Sequence, residues 1–312
     1  MVKTAVLFPG QGSQCVGMAA ELFAQRPEAR EVLDQVDLAL GRGLLELMFK
    51  GPEEGLKETF NTQPALYAAG LASWACLRKE GVEADAFVGH SLGEYCALQA
   101  AGVFSFVDGL KLVQARAAAM TRAAQAAPGT MAAVLKLDDA VVEEACREAS
   151  QSGPVGAANY NSPGQVVISG SREGVEKAMQ LCKDKGGRCL PLAVSGAFHS
   201  AAMEPAGLEL KAAFAQALWA DARALVLANV NALPQVGVAA IQANLVAQVS
   251  GPVRWTQSIL ELKALGFGRY IEAGPGKVLA GLVKKIDPEA QVCSVGDVAG
   301  LEAALPLLTG KA

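Results

Sequence analysis

The sequence predicts an α/β chain built on a parallel sheet and interrupted partway by a compact βαββαβ unit. Three observations carry that reading. Short apolar runs alternate with longer helical stretches, the pattern of parallel strands joined by crossover helices. After Pro128-Gly129 the order changes to strand, helix, strand, strand, helix, strand, which is the ferredoxin-like arrangement. Gly89-His90-Ser91-Leu92-Gly93 places a serine between two glycines where a strand meets a helix.

The first strand is expected at residues 4–8 and ends in the loop Pro9-Gly10-Gln11-Gly12-Ser13-Gln14. Helical patterns follow over about 16–47 and 64–78. Ala86-Phe87-Val88 then closes a short buried strand. A helix over 92–101 opens immediately after Ser91 with Leu92, Tyr95, Cys96 and Leu98 as its apolar positions. Another helix is expected over 106–124. Beyond the break the strands fall at 130–137, 155–160, 165–169 and 188–194, and the helices at 140–149 and 172–183. From Ser195 onward, strands at 269–272 and 291–295 complete the parent sheet. The expected organisation is a large subdomain of residues 1–127 and 196–312, with residues 128–195 inserted into it. There is no internal repeat or low-complexity segment.

Composition narrows the class. A chain of 312 residues with 52% hydrophobic content has ample material for a core. A net charge of −4 with scattered Lys and Arg gives no footprint for nucleic acid or an anionic membrane, so small molecules or proteins are the expected partners. Pro9-Gly10 comes too early for the apolar segment of a signal peptide. The uncharged stretch 224–253 contains Asn229, Asn231, Gln235, Gln242, Asn244 and Gln248, whose polar groups lipid would leave unsatisfied. Seven cysteines, an odd number without a CxxC pair, read as reduced and mostly buried thiols of a cytoplasmic protein.

A serine hydroxyl is a weak nucleophile without a base, and the chain offers two histidines, His90 and His199. His90 adjoins Ser91, where successive side chains point apart, so a packing role is expected for it. His199 is the favoured base; it follows the last strand of the inserted unit, where the chain re-enters the larger one and a cleft is expected. No acid stands out as a third member, because Glu272, Asp287 and Asp297 are indistinguishable by sequence. The Leu92 amide at the helix start and the Gln11 amide in the early loop are candidate donors to an oxyanion. Arg116 shares a helix side with Val113 and Met120, and a buried guanidinium there requires either a distant carboxylate or an anionic substrate.

With those residues in view, the chain resembles the malonyl-CoA:acyl carrier protein transacylases almost from end to end. Seven blocks carry the likeness, in order: Phe8-Pro9-Gly10-Gln11-Gly12-Ser13-Gln14, Thr62-Gln63-Pro64-Ala65-Leu66, Gly89-His90-Ser91-Leu92-Gly93-Glu94-Tyr95, Asn159-Tyr160-Asn161-Ser162-Pro163-Gly164-Gln165, Gly196-Ala197-Phe198-His199-Ser200, Pro252-Val253-Arg254-Trp255 and Glu272-Ala273-Gly274-Pro275-Gly276-Lys277. The resemblance implies an α/β-hydrolase-like large subdomain with a ferredoxin-like insert. It implies malonyl transfer from malonyl-CoA to the phosphopantetheine thiol of acyl carrier protein for type II fatty acid synthesis, by a ping-pong route through a malonyl-serine. By position, Ser91 would be the nucleophile, His199 the base, Gln248 the residue whose main-chain carbonyl orients His199, and Gln11 and Leu92 the oxyanion donors. Arg116 would clamp the malonyl carboxylate, with Met120, Asn159, Asn161 and Phe198 also expected at the substrate. Ala197-Phe198-His199 matches the tripeptide that accompanies malonyl selectivity in related polyketide acyltransferases, although Gly196 replaces the histidine usual there. No metal or other cofactor is expected, and the chain is expected to act as a monomer. The alternatives are a discrete acyltransferase serving a polyketide synthase and a serine thioesterase or esterase.

Overall fold

Strand β1 (Lys3–Phe8) is the axis of the molecule, buried along its whole length except at Lys3. In the computed structural model, which describes residues 2–309, it pairs in parallel with β2 (Ala86–Gly89) on one side. Seven further strands follow: β3 (Thr130–Leu135), β4 (Val155–Ser162), β5 (Gln165–Gly170), β6 (Arg188–Pro191), β7 (Leu225–Val226), β8 (Phe267–Ala273) and β9 (Gln291–Val295). The first sheet is wholly parallel in the order β7-β2-β1-β8-β9. Because side chains alternate along a strand, Val6 and Phe8 face one helical layer while Ala5 and Leu7 face another. Both layers are apolar, which is why β1 reads as an unbroken hydrophobic run rather than an alternating one.

The second sheet is antiparallel in the order β4-β5-β3-β6. One face carries Ala132, Val134, Val166 and Ile168 against the helices Asp139–Ala149 and Arg172–Asp184. Its other face turns Met131, Ala158 and Val167 into the same core as Met120 and Phe198. Strand β4 is also tied along the backbone to the segment that precedes the Trp255–Ala264 helix. The Tyr160 amide donates to the Val253 carbonyl at 2.9 Å, and the Val253 amide donates to the Ala158 carbonyl at 2.8 Å.

Several element boundaries depart from the sequence reading for identifiable reasons. The helical stretch expected over 16–47 is three helices, Ala20–Gln25, Pro27–Leu40 and Leu44–Lys50. Pro27 starts the second, and Gly41 ends it with a φ of 65°. The next long helix, Thr59–Lys79, begins before Pro64 and contains it. Proline removes the hydrogen bond that the Phe60 carbonyl would receive, and Arg42 Nη2 supplies a substitute at 3.2 Å. Strand β6 stops at Pro191, short of residue 194, and two-residue β7 is too brief for any periodicity to reveal. The stretch 224–253 holds β7 and the helix Val238–Ser250, and among the described residues no helix is long and apolar enough to cross a membrane. All seven cysteines are free; four are buried and Cys15 is exposed.

Candidate active site

The serine turn is dictated by backbone crowding. A Cβ on Gly89 would overlap the backbone of Gly93, and one on Gly93 would overlap the Phe8 carbonyl, so neither position admits another residue. Between them Ser91 is held at a φ of 52°, a left-handed conformation that costs a non-glycine residue about 1–2 kcal/mol. The helix Gly93–Ala100 begins directly behind it.

His199 meets the serine from the other side of the cleft, with Nε2 2.8 Å from Ser91 Oγ. Its Nδ1 lies 2.9 Å from the Gln248 carbonyl and 3.1 Å from that of Gly251. Carbonyls only accept, so Nδ1 carries the proton and Nε2 presents a lone pair to the hydroxyl. Burial, together with the positive charge of Arg116, lowers the imidazole to about 3, keeping it neutral and able to act as a base. His199 is itself left-handed, with a φ of 58°.

The three acids that sequence could not separate have other partners. Glu272 accepts the amides of Leu279 and Ala280 at the start of the Val278–Ile286 helix. Asp287 pairs with Lys263, and Asp297 accepts the Gly300 amide. None of them orients His199; main-chain oxygens do so. His90 is likewise turned elsewhere, its Nε2 bonded to Asn161 Oδ1 at 2.8 Å and its ring against Trp255.

Arg116 is fully buried on the Phe106–Ala126 helix and reaches the serine directly, Nη2 to Oγ at 3.0 Å. Its other bonds run to neutral amides, Nη1 to Gln63 Oε1 at 2.7 Å and Nη2 to Gln248 Oε1 at 2.9 Å. Its Nε–H is buried with no acceptor. Among the described residues no carboxylate touches this cation. A desolvated guanidinium with an unused donor beside a nucleophile is a site for a small anion attached to the reacting group.

The remaining predicted residues divide. Gln11, Leu92, Met120, Asn159 and Phe198 line the cleft around Ser91. Among the described residues neither the Gln11 amide nor the Leu92 amide has a protein acceptor, whereas the neighbouring His90, Ser91 and Gly93 amides all do. Asn161 does not line the cleft and instead holds His90 from behind. The sequence reading did not single out Gln63, Asn229, Gln235, the Gln248 side chain or Glu94. Of these only Glu94 left a signal, a charge inside an apolar helical run. Its carboxylate is wholly buried, and burial raises it to about 7.

Comparison with known proteins places the whole chain in one family. Residues 6–302 match the family model described as Acyl transferase domain. A malonyl CoA-acyl carrier protein transacylase of Bacillus subtilis is 42% identical over 310 residues, covering 99% of this chain and 98% of that one. The Escherichia coli K12 protein of the same name is 41% identical over 309 residues, covering 98% and 100%. Among solved structures, a malonyl-CoA:acyl carrier protein transacylase from Xanthomonas oryzae superposes with a TM-score of 0.95 at 43% identity, covering 99% of each chain. A malonyl-transacylase in complex with its type II polyketide acyl carrier protein gives 0.94 at 39% identity, covering 98% and 99%.

Proposed function

Because the chain belongs to the acyl transferase family, we propose that it moves a malonyl group from malonyl-CoA to the phosphopantetheine thiol of acyl carrier protein, for type II fatty acid synthesis. The observation that carries the reading is the convergence of three groups on one oxygen: Ser91 Oγ lies 2.8 Å from His199 Nε2 and 3.0 Å from Arg116 Nη2. In this mechanism His199 removes the serine proton as Oγ attacks the thioester carbonyl. The Gln11 and Leu92 amides stabilise the tetrahedral oxyanion. Coenzyme A leaves with the proton from His199, and the carrier thiol then repeats the sequence in reverse on the malonyl-serine.

Arg116 acts twice in this scheme. It binds the carboxylate at the far end of the acyl group, and once that carboxylate is bound, the positive charge that depresses His199 is balanced. The base therefore gains strength when the correct substrate arrives, so selectivity appears in turnover as well as in binding. Nucleophile, base and clamp are all side chains of one protomer, and the reaction requires no metal or redox cofactor. The seven free cysteines support a cytoplasmic location. The two separate sheets support residues 128–195 as the inserted unit.

Intact-mass spectrometry after mixing with malonyl-CoA should find one malonyl group on Ser91, transferable to added carrier protein and absent from Ser91→Ala. If the protein stayed unmodified while releasing free malonate, the transferase reading would give way to a thioesterase. Parallel assays with fatty acid and polyketide carrier proteins decide which of the two the enzyme serves.

A further inference from the structure

Arg116 has no direct counter-ion, yet a carboxylate lies one amide away. Gln248 Oε1 accepts from Arg116 Nη2 at 2.9 Å, while Gln248 Nε2 donates to Glu94 Oε2 at 2.8 Å. A guanidinium only donates and a carboxylate only accepts, so the two ends together leave the Gln248 amide a single orientation. The same Nε2 also donates to the Ser91 carbonyl at 2.8 Å. Glu94 Oε2 receives the Asn229 amide at 3.0 Å, and Asn229 Oδ1 in turn accepts the Ser91 amide at 2.7 Å. Gln235 Nε2 holds Glu94 Oε1 at 2.8 Å. Every group around the carboxylate is a neutral donor.

Building on the acyl-transfer reading above, we propose that Glu94 is a positioning residue: acting through Gln248, it aims the Arg116 guanidinium while leaving the guanidinium free to take the substrate carboxylate. A carboxylate in direct contact with Arg116 would occupy the same donors as the malonyl group and compete with it. Held at one remove, Glu94 compensates the buried charge without blocking it. Loss of its charge removes the strongest of the acceptors that hold the Gln248 N–H groups, and with it the firm aim of Gln248 Oε1 at Arg116.

Loading of Ser91 from malonyl-CoA and from acetyl-CoA, followed by rapid quench and intact mass across pH 5.5–9, tests this in wild type and in Glu94→Gln. The titratable groups around the carboxylate are the charged Arg116 across Gln248 and the neutral Tyr95 hydroxyl on the same helix, with the neutral His199 and His90 flanking Ser91. His199 is neutral throughout this range, so an acid limb near pH 7 in wild-type malonyl loading belongs to Glu94. Glu94→Gln should abolish that limb and lower malonyl kcat/KM roughly 10- to 100-fold, as expected for a misaimed binding group. Acetyl loading, which makes no carboxylate contact, should fall far less. Gln235→Leu removes one donor from the ionised carboxylate and should move the limb to higher pH, which keeps the proposal testable if Glu94→Gln folds poorly. Equal losses for both acyl groups, or an acid limb unchanged in either variant, overturns the role of Glu94. Failure of the wild type to form malonyl-serine would instead overturn the transferase reading itself.

Discussion

Glu94 and Glu272 are both fully buried, both lack a direct salt bridge, and both are raised above the usual carboxylate range by burial. Their partners separate them. Glu272 binds main-chain amides at a helix start and the Ser294 side chain, partners that among the described residues do not lead to Ser91 or Arg116. Glu94 binds one main-chain amide and two side-chain amides, and those partners lead within one further contact to Ser91 and Arg116. Burial and a shifted pKa therefore do not distinguish a structural acid from a functional one. The destination of the second contact does.

The sharpest test of that contrast removes the group to which the Glu94 network leads. In Arg116→Ala, discrimination for malonyl over acetyl should collapse by on the order of 10⁴-fold, the scale of sites built on a specific polar pair. Steady-state kcat/KM for both thioesters measures it, and equal losses would mean that Arg116 merely supports the fold. A smaller effect is expected on the other side of the comparison. Glu272→Gln leaves one helix amide facing a donor and should lower stability by about 1–3 kcal/mol in urea unfolding. The kcat/KM of the folded fraction should not change, and a change in malonyl selectivity there would erase the distinction between the two acids.

The smallest effect is a slope with pH. His199 is depressed to about 3 in the folded protein, so the unfolded chain binds more protons between that value and the ordinary histidine range. Its contribution is complete above the unfolded pKa and declines as pH falls. Glu94, raised to about 7, has the opposite sign: its contribution is complete at low pH and declines as pH rises through 7. Between the two unfolded values the slopes oppose each other. Glu94→Gln should accordingly expose the histidine slope, to which His199 contributes at most about 1.4 kcal/mol per pH unit and the buried His90 adds in the same sense, with stability falling as pH drops from 6.5 toward 4.5. Urea midpoints across that window measure it, and a flat profile in the variant would mean that His199 is not held neutral by the fold.

What the sequence made legible follows from how each residue does its work. Ser91 announced itself because its turn demands glycine at two fixed positions, and His199 because only two histidines exist. The βαββαβ order was readable because turn residues punctuate it, at Pro128-Gly129, Ser162-Pro163-Gly164 and Gly186-Gly187. Main-chain chemistry leaves no such mark: the carbonyls of Gln248 and Gly251 orient His199, and any residue type supplies a carbonyl. The role of Gln248 came from resemblance for that reason. Glu94, Asn229 and Gln235 were not read as site residues because their meaning lies in a three-dimensional meeting of an early helix with residues more than a hundred positions later. A charge on a helix most often faces water. Arg116 was read as needing a distant carboxylate or an anionic substrate, and the structure places a carboxylate one amide away.

The left-handed backbone at Ser91 and His199 sets two selective pressures against each other. Five non-glycine residues among those described adopt positive φ, and the proposed nucleophile and base are two of them. Both would be more relaxed as glycine, by about 1–2 kcal/mol each. A search for heat-resistant variants guided by backbone comfort would therefore nominate the proposed nucleophile and the proposed base. Sturdier versions of this enzyme must be sought in its helices, loops and surface, with the reacting pair left in its awkward pose.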